Sequence, residues 1–500
     1  MTPPPCLQSF GKEHFSAARL GDRRRTRCLV DLADRFARHP SGSLPQKCQD
    51  PNALRRCYDL MKCPAVTHQS VLDPHVRRTT DLLLRQRGVV LVVHDPTELD
   101  YSGLASLAGQ LGQIGEGHGK GYICHNSLAV LPQGKAVLGL LGQILHRRDR
   151  VPKDETPAQC AARESRESRL WLKAVGAIDQ AVARACRLNG WQGLPQGLAV
   201  VDVSDRASDT FEFLDEEDRL RRNYVLRSKA NRRIRVGHGG QGAAALLHGH
   251  LRGLPPCGGQ RRVTVGGRDG QPPREAVVRL AFAAVEVLPP EGHPGNYRRV
   301  AQKAWAIRVW ESSPPEGAEP VEWFLLTNLA VASEAAAWEK VEWYCCRWVA
   351  EEFHKAQKTG CDIEGPQVTY LGRLEPMIAL LSVVATTLLS LRDLSRDARL
   401  RGLPATAVTD EESVAVLSGW RYREQRPLSV REFFLALARL GGHQNRKCDG
   451  EPGWLVLWRG WVSLQQMVAG ARAARCPRAD AHRPEPPRVP TQAQHPESGP

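Results

Sequence analysis

The chain has 500 residues, of which 42% are hydrophobic and 25% are charged, and its formal net charge at pH 7 is +15. This length is enough for two or three domains with apolar cores. The excess of positive charge favours a polyanionic partner, most simply nucleic acid.

The cysteines and the apolar segments argue against a secreted, zinc-binding or membrane protein. Fourteen cysteines are present without a C-x-x-C pair, which is typical of reduced core thiols in a cytoplasmic protein rather than of a zinc site. The start, MTPPPCLQSFGKEHF, lacks the apolar run of a signal peptide. The longest apolar stretch, Met377 to Leu391, has about 15 residues, which is short for a membrane span. We expect it to form a buried helix and expect no membrane association.

Residues 1–80 are polar and helical in pattern, with 14 Lys and Arg against 7 Asp and Glu. The segment Leu20–Phe36 begins with clustered cations and continues with apolar residues at helical spacing. Its cations bind DNA phosphates or form a solvated basic face, and the pattern leaves both interpretations open. They are Arg23, Arg24, Arg25 and Arg27.

From Val89 the pattern changes to strands. VVLVVH predicts a buried strand that ends at Asp95, and HNSLAVLPQGKAVLGLLGQIL predicts a hairpin with its turn near Pro132–Gly134. A helix is expected around Glu164–Arg187, and LAVVDV then predicts a second strand. Next comes a basic segment from Arg219 to Arg235, which has eight cations.

The remainder divides into a β-rich part and a helical part. Residues from about 236 to 320 are rich in Gly and Pro and contain alternating strand patterns, and Val321–Leu329 returns to a core strand. Residues 374–475 are helical in pattern. The tail, residues 476–500, is rich in Pro, Arg and His and is expected to be disordered.

The segment WYCCRWVAEEFHKAQKTG, Trp343 to Gly360, predicts one helix with a charged face. At about 100° per residue, one carboxylate and several cations fall on one side, and the small apolar residues fall on the other. The charged face is either a set of ion pairs in solvent or part of a functional site. Its members are Tyr344, Arg347, Glu351, Lys355 and Lys358.

Three acidic positions together suggest metal-dependent chemistry. Asp95 and Asp205 follow predicted strands, and ligands gather at the carboxyl ends of strands in α/β sheets. With Glu351 they would bind hard divalent cations through oxygen, and two such ions about 4 Å apart clamp the two oxygens of an in-line phosphoryl transfer. On physical grounds alone, Asp202 fits the second strand end as well as Asp205 does.

The spacing Y-x2-R-x3-E-x6-K in Tyr344–Lys358 resembles the signature of bacterial DDE transposases of the insertion-sequence-four type, the hairpin-forming cut-and-paste branch. HDPTELDYSG and SDRASD resemble the segments around the family's two catalytic aspartates. FSAARLGDRRRTRCLVDLA near the start and LGGHQNRKCDGEPGWLVLWRGW near the end also resemble family blocks. The resemblance covers nearly the whole chain.

The resemblance implies a role for each matching residue. Asp95, Asp205 and Glu351 would be the catalytic metal ligands, for two Mg²⁺ ions that Mn²⁺ would replace on the same argument. The D-R-x-x-D match selects Asp205 over Asp202. A further group would hold the terminal phosphate and a flipped base, with the tryptophan stacked on that base. This group consists of Tyr344, Arg347, Lys355, Lys358 and Trp323. Arg227 and Lys229 join the N-terminal arginines as DNA-binding residues.

The resemblance also implies an α/β fold and a domain order. We expect a helical N-terminal domain that binds the element ends (1–80) and an RNase H-like catalytic domain (85–373) with a β-rich insertion (about 236–320). A helical C-terminal dimerisation domain (374–475) would follow. The partners would be double-stranded DNA, as inverted-repeat ends and as target, and a second copy of the chain in a synaptic homodimer. The protein would act in the bacterial cytoplasm.

Two other functions remain open from the sequence. An RNase H-like metal nuclease would use the same three carboxylates without Tyr344, Trp323 or a hairpin step. A decayed or domesticated transposase would bind DNA as a regulator without cutting it.

Overall fold

In a computed structural model, the structure describes residues 9–152, 154–265, 274–292, 294–446 and 448–475. The expected disordered tail, 476–500, lies outside these residues. The described part combines a helical N-terminal region, one large mixed sheet and a helical C-terminal region.

The N-terminal region consists of five helices, as its polar helical pattern predicts. The second is capped by Asp22, whose side chain accepts a hydrogen bond from the Arg24 amide, and it buries Leu29, Leu32 and Phe36 at helical spacing. The cations at its start therefore project from a packed helix. The helices are α1 (Phe10–Phe15), α2 (Arg23–Arg38), α3 (Leu44–Cys48), α4 (Pro51–Met61) and α5 (His68–Leu84).

The central sheet has twelve strands within the described residues. Its order is β2-β3-β1-β5-β6-β12-β11-β10-β7-β8, with β4 paired to β3 and β9 paired to β10. Strands β1, β5 and β6 are parallel neighbours, and the other pairs are antiparallel. The strands are β1 (Gly88–Asp100), β2 (Gly112–Gln113), β3 (Lys120–Val130), β4 (Val137–His146), β5 (Leu198–Ser204), β6 (Asn223–Arg227), β7 (Arg233–Val236), β8 (Ala244–Leu246), β9 (Cys257–Val265), β10 (Arg274–Val287), β11 (Gln302–Glu311) and β12 (Glu322–Thr327).

The hairpin expected after residue 125 is confirmed as β3 and β4, and the helix expected around residues 164–187 is α7. The strands of the β-rich part, β7 to β11, do not form a separate sheet. They extend the central one, because β12 pairs with β6 on one side and with β11 on the other. The helices of this half are α6 (Pro157–Ala162), α7 (Arg169–Leu188), α8 (Phe211–Arg219), α9 (Leu247–Arg252), α10 (Glu334–Cys345) and α11 (Trp348–Lys355).

The described part of the C-terminal region has four α-helices, and the first of them is the apolar segment that the sequence predicts to be buried. This helix is long and apolar enough to cross a membrane, but 89% of its apolar window is buried inside the protein, as in the core helix of a soluble protein. It shares an apolar core with the N-terminal helices and with β1 and β3, whereas the last three helices form a second core. The helices are α12 (Leu371–Arg396), α13 (Glu411–Tyr422), α14 (Val430–Leu440) and α15 (Trp454–Arg475).

Helices from the two ends of the chain also contact each other directly. The Trp461 indole N–H of α15 donates to the Ala37 carbonyl of α2 at 3.1 Å in a buried position. The division into domains remains a prediction, but the N-terminal helices rest on C-terminal ones rather than extending alone.

Candidate active site

Asp95 lies within β1, not after it, so the expected strand end is wrong. The parallel pairing of β1 with β5 stops at Val93, but the antiparallel pairing with β3 continues to Asp100 and places Asp95 opposite Asn126. The long partner strand holds β1 extended through Pro96. Asp95 is 8% exposed and lies just beyond the last residue pair that β1 shares with β5.

The two aspartates near the end of β5 have different environments. Asp202 is fully buried, accepts two hydrogen bonds from Arg222 at 2.7 and 2.8 Å, and accepts one from His94 at 2.9 Å. Burial acts to raise the pKa of Asp202, but the charge of Arg222 and the His94 hydrogen bond outweigh it and hold the pKa below its ordinary value. Asp202 thus forms a buried ion pair with Arg222. Asp205 is partly buried at the first position after β5, and one of its oxygens caps the following turn through the Ala207 amide.

The predicted single helix from Trp343 to Gly360 is also wrong in detail. Helix α10 ends at Cys345, and α11 starts at Trp348 after a tight turn in which the Arg347 amide bonds to the Tyr344 carbonyl. The last turn, Ala356–Gly360, is π-helical. Single π-helical turns inside helices are frequent at functional sites. A uniform rotation of about 100° per residue therefore gives wrong positions for the residues at both ends of this segment.

Arg347 bridges two of the three predicted carboxylates. Its Nη1 lies 3.1 Å from Asp95 Oδ1, and its Nη2 lies 2.5 Å from Glu351 Oε1. The pKa of Asp95 is raised to about 7, chiefly by burial; the charge of Arg347 opposes this shift, and the neighbouring charges of Asp205 and Glu351 contribute to it. Arg347 thus lies between Asp95 and Glu351, and Asp205 is close enough to Asp95 to affect its pKa.

The donor set fits a hard divalent cation in its chemistry, because it consists of carboxylate oxygens with excess negative charge. The geometry differs from that of a formed metal site. Among the described residues, no group of three His, Cys, Asp or Glu side chains converges as metal ligands would. In this conformation the Arg347 guanidinium provides the positive charge between Asp95 and Glu351.

His354 is a residue of this site that the sequence analysis missed. Its Nδ1 lies 3.7 Å from Asp95 Oδ2, while its buried Nε2 has no hydrogen-bond partner among the described residues. Burial lowers the pKa of His354 to about 3, so the ring is neutral. The signal was its position three residues after Glu351, one helical turn along the same face.

The aromatic residues of the site form a pair. Trp323 on β12 and Tyr344 on α10 have ring centroids 6.0 Å apart at 61°. Both rings are largely covered by protein. Trp348 was not predicted and is 51% exposed beside Arg347, where a base could stack on it.

The predicted cations divide into three groups. Lys355 is exposed on α11, and Lys358 lies 3.4 Å from Glu364. Arg227, at the end of β6, donates to the Glu322 carbonyl at 3.4 Å, and Lys229 is exposed two residues later. The third group lies on α2, away from the strand ends, and consists of Arg23, Arg24, Arg25 and Arg27. Arg25 donates to the Leu20 carbonyl, and the other three side chains are exposed.

Comparison with known families provides a finding for the N-terminal region. Residues 8–66 match a family model described as transposase DNA-binding. The match spans α1 to α4 and includes all four arginines of the α2 group. The chain thus carries a transposase DNA-binding domain, which supports a DNA-binding transposase with DNA as its partner.

Proposed function

We propose that this protein is a DDE transposase of the insertion-sequence-four type. It would bind the inverted-repeat ends of its element, excise the element through nicking and hairpin formation, and join the 3′ ends to target DNA. The observation that carries the proposal is the Arg347 bridge between Asp95 and Glu351, with Asp205 close enough to act on the pKa of Asp95, in a chain whose N-terminal region matches a transposase DNA-binding family.

The strand order supports an RNase H-like core. The series β4-β3-β1-β5-β6 has an antiparallel meander on one side and three parallel strands on the other. Asp95 lies on β1, Asp205 directly follows the adjacent strand β5, and α11 packs against β1. This arrangement would allow residues distant in sequence to act on one phosphodiester.

The three carboxylates would hold two Mg²⁺ ions, which supply Lewis-acid activation of the attacking and leaving oxygens. The side chains around the carboxylates would hold the DNA phosphate. Arg347 would turn from Asp95 to the DNA phosphate, which it can grip with two N–H groups. Tyr344, Lys355 and Lys358 would add donors to the same phosphate.

The aromatic pair supports a hairpin mechanism. Extracting a base from the stack costs a few kcal/mol. Stacking on Trp323 would return about 1–3 kcal/mol, and Tyr344 supports the Trp323 ring from the side. A flipped base relieves the tight bend that a hairpin imposes on the terminal nucleotides.

The test uses purified protein, Mg²⁺ and a labelled duplex that carries the inverted repeat flanking the gene. Wild-type protein should produce a 3′ nick and then a hairpinned end on a denaturing gel. Glu351→Ala should lose both products while it retains end binding. Glu342→Ala is the matched control, because Glu342 is an exposed glutamate on the preceding helix, paired with Arg261.

The alternatives predict other products. Cleavage without a hairpin would indicate an RNase H-like nuclease. Specific end binding without cleavage by either protein would indicate a regulatory, decayed transposase. Normal cleavage by Glu351→Ala would overturn the assignment of the site. The proposed synaptic homodimer would appear as a complex of two chains with two DNA ends.

A further inference from the structure

Asp209 is a buried carboxylate four residues after Asp205 that none of the proposed catalytic steps uses. Its side chain is fully inaccessible to solvent. It ends the short turn that begins at Asp205, in which the Ser208 hydroxyl donates to the Asp205 carbonyl at 2.8 Å and the Ala207 amide donates to the Asp205 carboxylate. Asp209 is therefore tied to the Asp205 turn through short, local contacts.

Within the described residues, the hydrogen bonds that the Asp209 carboxylate accepts come from the segment after β6. Its Oδ2 accepts from the Lys229 amide at 2.7 Å, from the Ala230 amide at 2.8 Å and from the Ser228 hydroxyl at 3.3 Å. Its Oδ1 accepts from Arg232 Nε at 3.0 Å and from Nη2 at 2.8 Å. One carboxylate thus fixes the backbone of residues 228–232 at the carboxyl ends of β5 and β6.

The two cations of residues 228–232, Arg232 and Lys229, therefore have different environments. The Arg232 side chain is 10% exposed, and its charge is neutralised by Asp209. The Lys229 side chain is exposed, and within the described ranges its ammonium group forms no ion pair with a carboxylate. The segment therefore presents Lys229 to solvent on a backbone that is already ordered.

We propose that Asp209 is a positioning residue that holds Lys229 in place to bind a DNA phosphate beside Asp205. The inference rests on the proposed function in one respect, that DNA is the ligand of this face. A segment that is ordered before binding loses little conformational entropy when it meets the phosphate. Asp209 itself touches neither DNA nor the reacting atoms.

The substitution Asp209→Asn tests this role directly, because it changes the hydrogen-bonding groups of the side chain. An asparagine has one accepting oxygen and one amide group that donates, so it cannot accept from Arg232 on one side and from two backbone amides on the other. The side-chain volume stays nearly the same, but the hydrogen bonds that hold residues 228–232 are weakened. Asp215→Asn is the matched control, because Asp215 is also buried and accepts from the Nε and the backbone amide of Arg298, on a different loop.

The first readout is binding of the full chain to a random-sequence duplex at increasing salt. Lys229→Ala should reduce the slope of log affinity against log salt by about one unit, as expected for one lost phosphate contact. Asp209→Asn should reduce it by a similar amount, and the double variant should lose no more than either single one. Asp215→Asn should keep the wild-type slope.

The outcomes that overturn the inference are distinct from failure of the proposed function. An unchanged slope in Lys229→Ala, an unchanged slope in Asp209→Asn, or additive losses in the double variant would each exclude the anchoring role. If the slopes change as expected but wild-type protein cuts no inverted-repeat DNA, the proposed transposase activity fails and Asp209 still positions a DNA contact. Where cleavage is observed, Asp209→Asn should lower kcat about 10- to 100-fold and should weaken end binding no more than Lys229→Ala does.

A measurement on wild-type protein guards against a variant that does not fold. Hydrogen exchange of the Lys229 and Ala230 amides should be slow in DNA-free protein, because both donate to a buried carboxylate. Exchange at the rate of an open loop would contradict the inference.

Discussion

Arg347 contacts Asp95 at 3.1 Å and thereby occupies, with its own charge, a position between two carboxylates of the candidate active site. The same guanidinium reaches Glu351, so one cation balances two anions in the DNA-free protein. A divalent ion and Arg347 would therefore compete for Asp95. Binding of a DNA phosphate would resolve that competition, because the phosphate offers Arg347 another bidentate partner.

This competition predicts opposite effects of Arg347→Gln on metal binding and on cleavage. Without the guanidinium, DNA-free protein should bind Mn²⁺ more tightly when measured by electron paramagnetic resonance at alkaline pH, where Asp95 is ionised. Cleavage of inverted-repeat DNA should fall about 10²-fold or more, as when a charge-stabilising donor is lost. The control is Arg261→Gln, which removes a surface ion pair with Glu342. Unchanged or weaker Mn²⁺ binding in Arg347→Gln would contradict the competition.

The Trp323 ring predicts a step-specific defect. Trp323→Ala should form the first nick at a rate near that of wild type. It should form the hairpin about 5- to 150-fold more slowly, which corresponds to a stacking contribution of about 1–3 kcal/mol. Trp323→Phe should recover part of the hairpin rate because it keeps an aromatic face. Quenched time courses on a denaturing gel separate the two products. Equal losses in nicking and hairpin formation would assign Trp323 to the core alone.

Local patterns in the sequence predicted the element types well, because burial and periodicity determine them. Strands β3 and β4, helix α7 and the buried helix α12 were expected from apolar runs and turn residues. The sequence could not predict the length of β1, since its extension to Asp100 depends on pairing with β3. Nor could it predict that β7 to β11 join the central sheet, because that contact joins strands distant in sequence.

The candidate site shows the same limit at the level of single residues. The choice between Asp202 and Asp205 was open on physical grounds, and no local signal reveals that Arg222, 20 residues later, pairs with Asp202. The break at Arg347 was also hidden, since every residue from Trp343 to Gly360 is compatible with a helix. The spacing placed Arg347 and Glu351 on one face, and the structure joins both to Asp95 through Arg347, a contact that no local pattern could show.

Two buried histidines connect the matched DNA-binding region to the sheet. The Leu140 amide of β4 donates to His75 Nε2 at 3.0 Å, so His75 Nδ1 carries the proton and donates to His14 Nδ1 at 2.7 Å. Burial, together with the charge of Arg78, lowers the pKa of His75 to about 3, and burial also lowers that of His14. Both rings are therefore neutral in the folded protein.

This pair predicts acid sensitivity with a defined sign. Below the ordinary histidine pKa of about 6.5, the unfolded chain binds protons that the folded chain excludes. The free energy of unfolding should therefore fall progressively as the pH drops from about 6.5 towards the His75 pKa of about 3. His75→Gln should be less stable near neutrality by about 1–3 kcal/mol but should show a flatter pH dependence in urea unfolding. His118→Gln, at an exposed position, should keep the wild-type slope, and an equal slope in His75→Gln would contradict the assignment.

Glu217 predicts a site where a substitution should stabilise the fold. Its carboxylate is fully buried on α8, and neither of its oxygens has a hydrogen-bond partner in the described part of the chain. Burial, and then the charge of Asp202, raise the pKa of Glu217 well above its ordinary value, although Arg222 opposes them. An unpaired buried carboxyl costs free energy that a neutral side chain of similar size does not.

The sign of the pH dependence is opposite to that of His75. Above the unfolded glutamate pKa of about 4.3, the unfolded chain releases a proton that folded Glu217 retains, so the stability contributed at this position falls as the pH rises. Glu217→Met should therefore raise the free energy of unfolding near neutrality by about 1–3 kcal/mol, and the gain should shrink as the pH approaches 4. Glu216→Gln is the control, because Glu216 pairs with Arg219 at the surface and should change stability by less than about 0.5 kcal/mol. A loss of stability in Glu217→Met at neutral pH would mean that the carboxyl forms a compensating contact. A gain that is independent of pH would mean that Glu217 ionises in the folded protein as it does in the unfolded chain, so that its pKa is not raised.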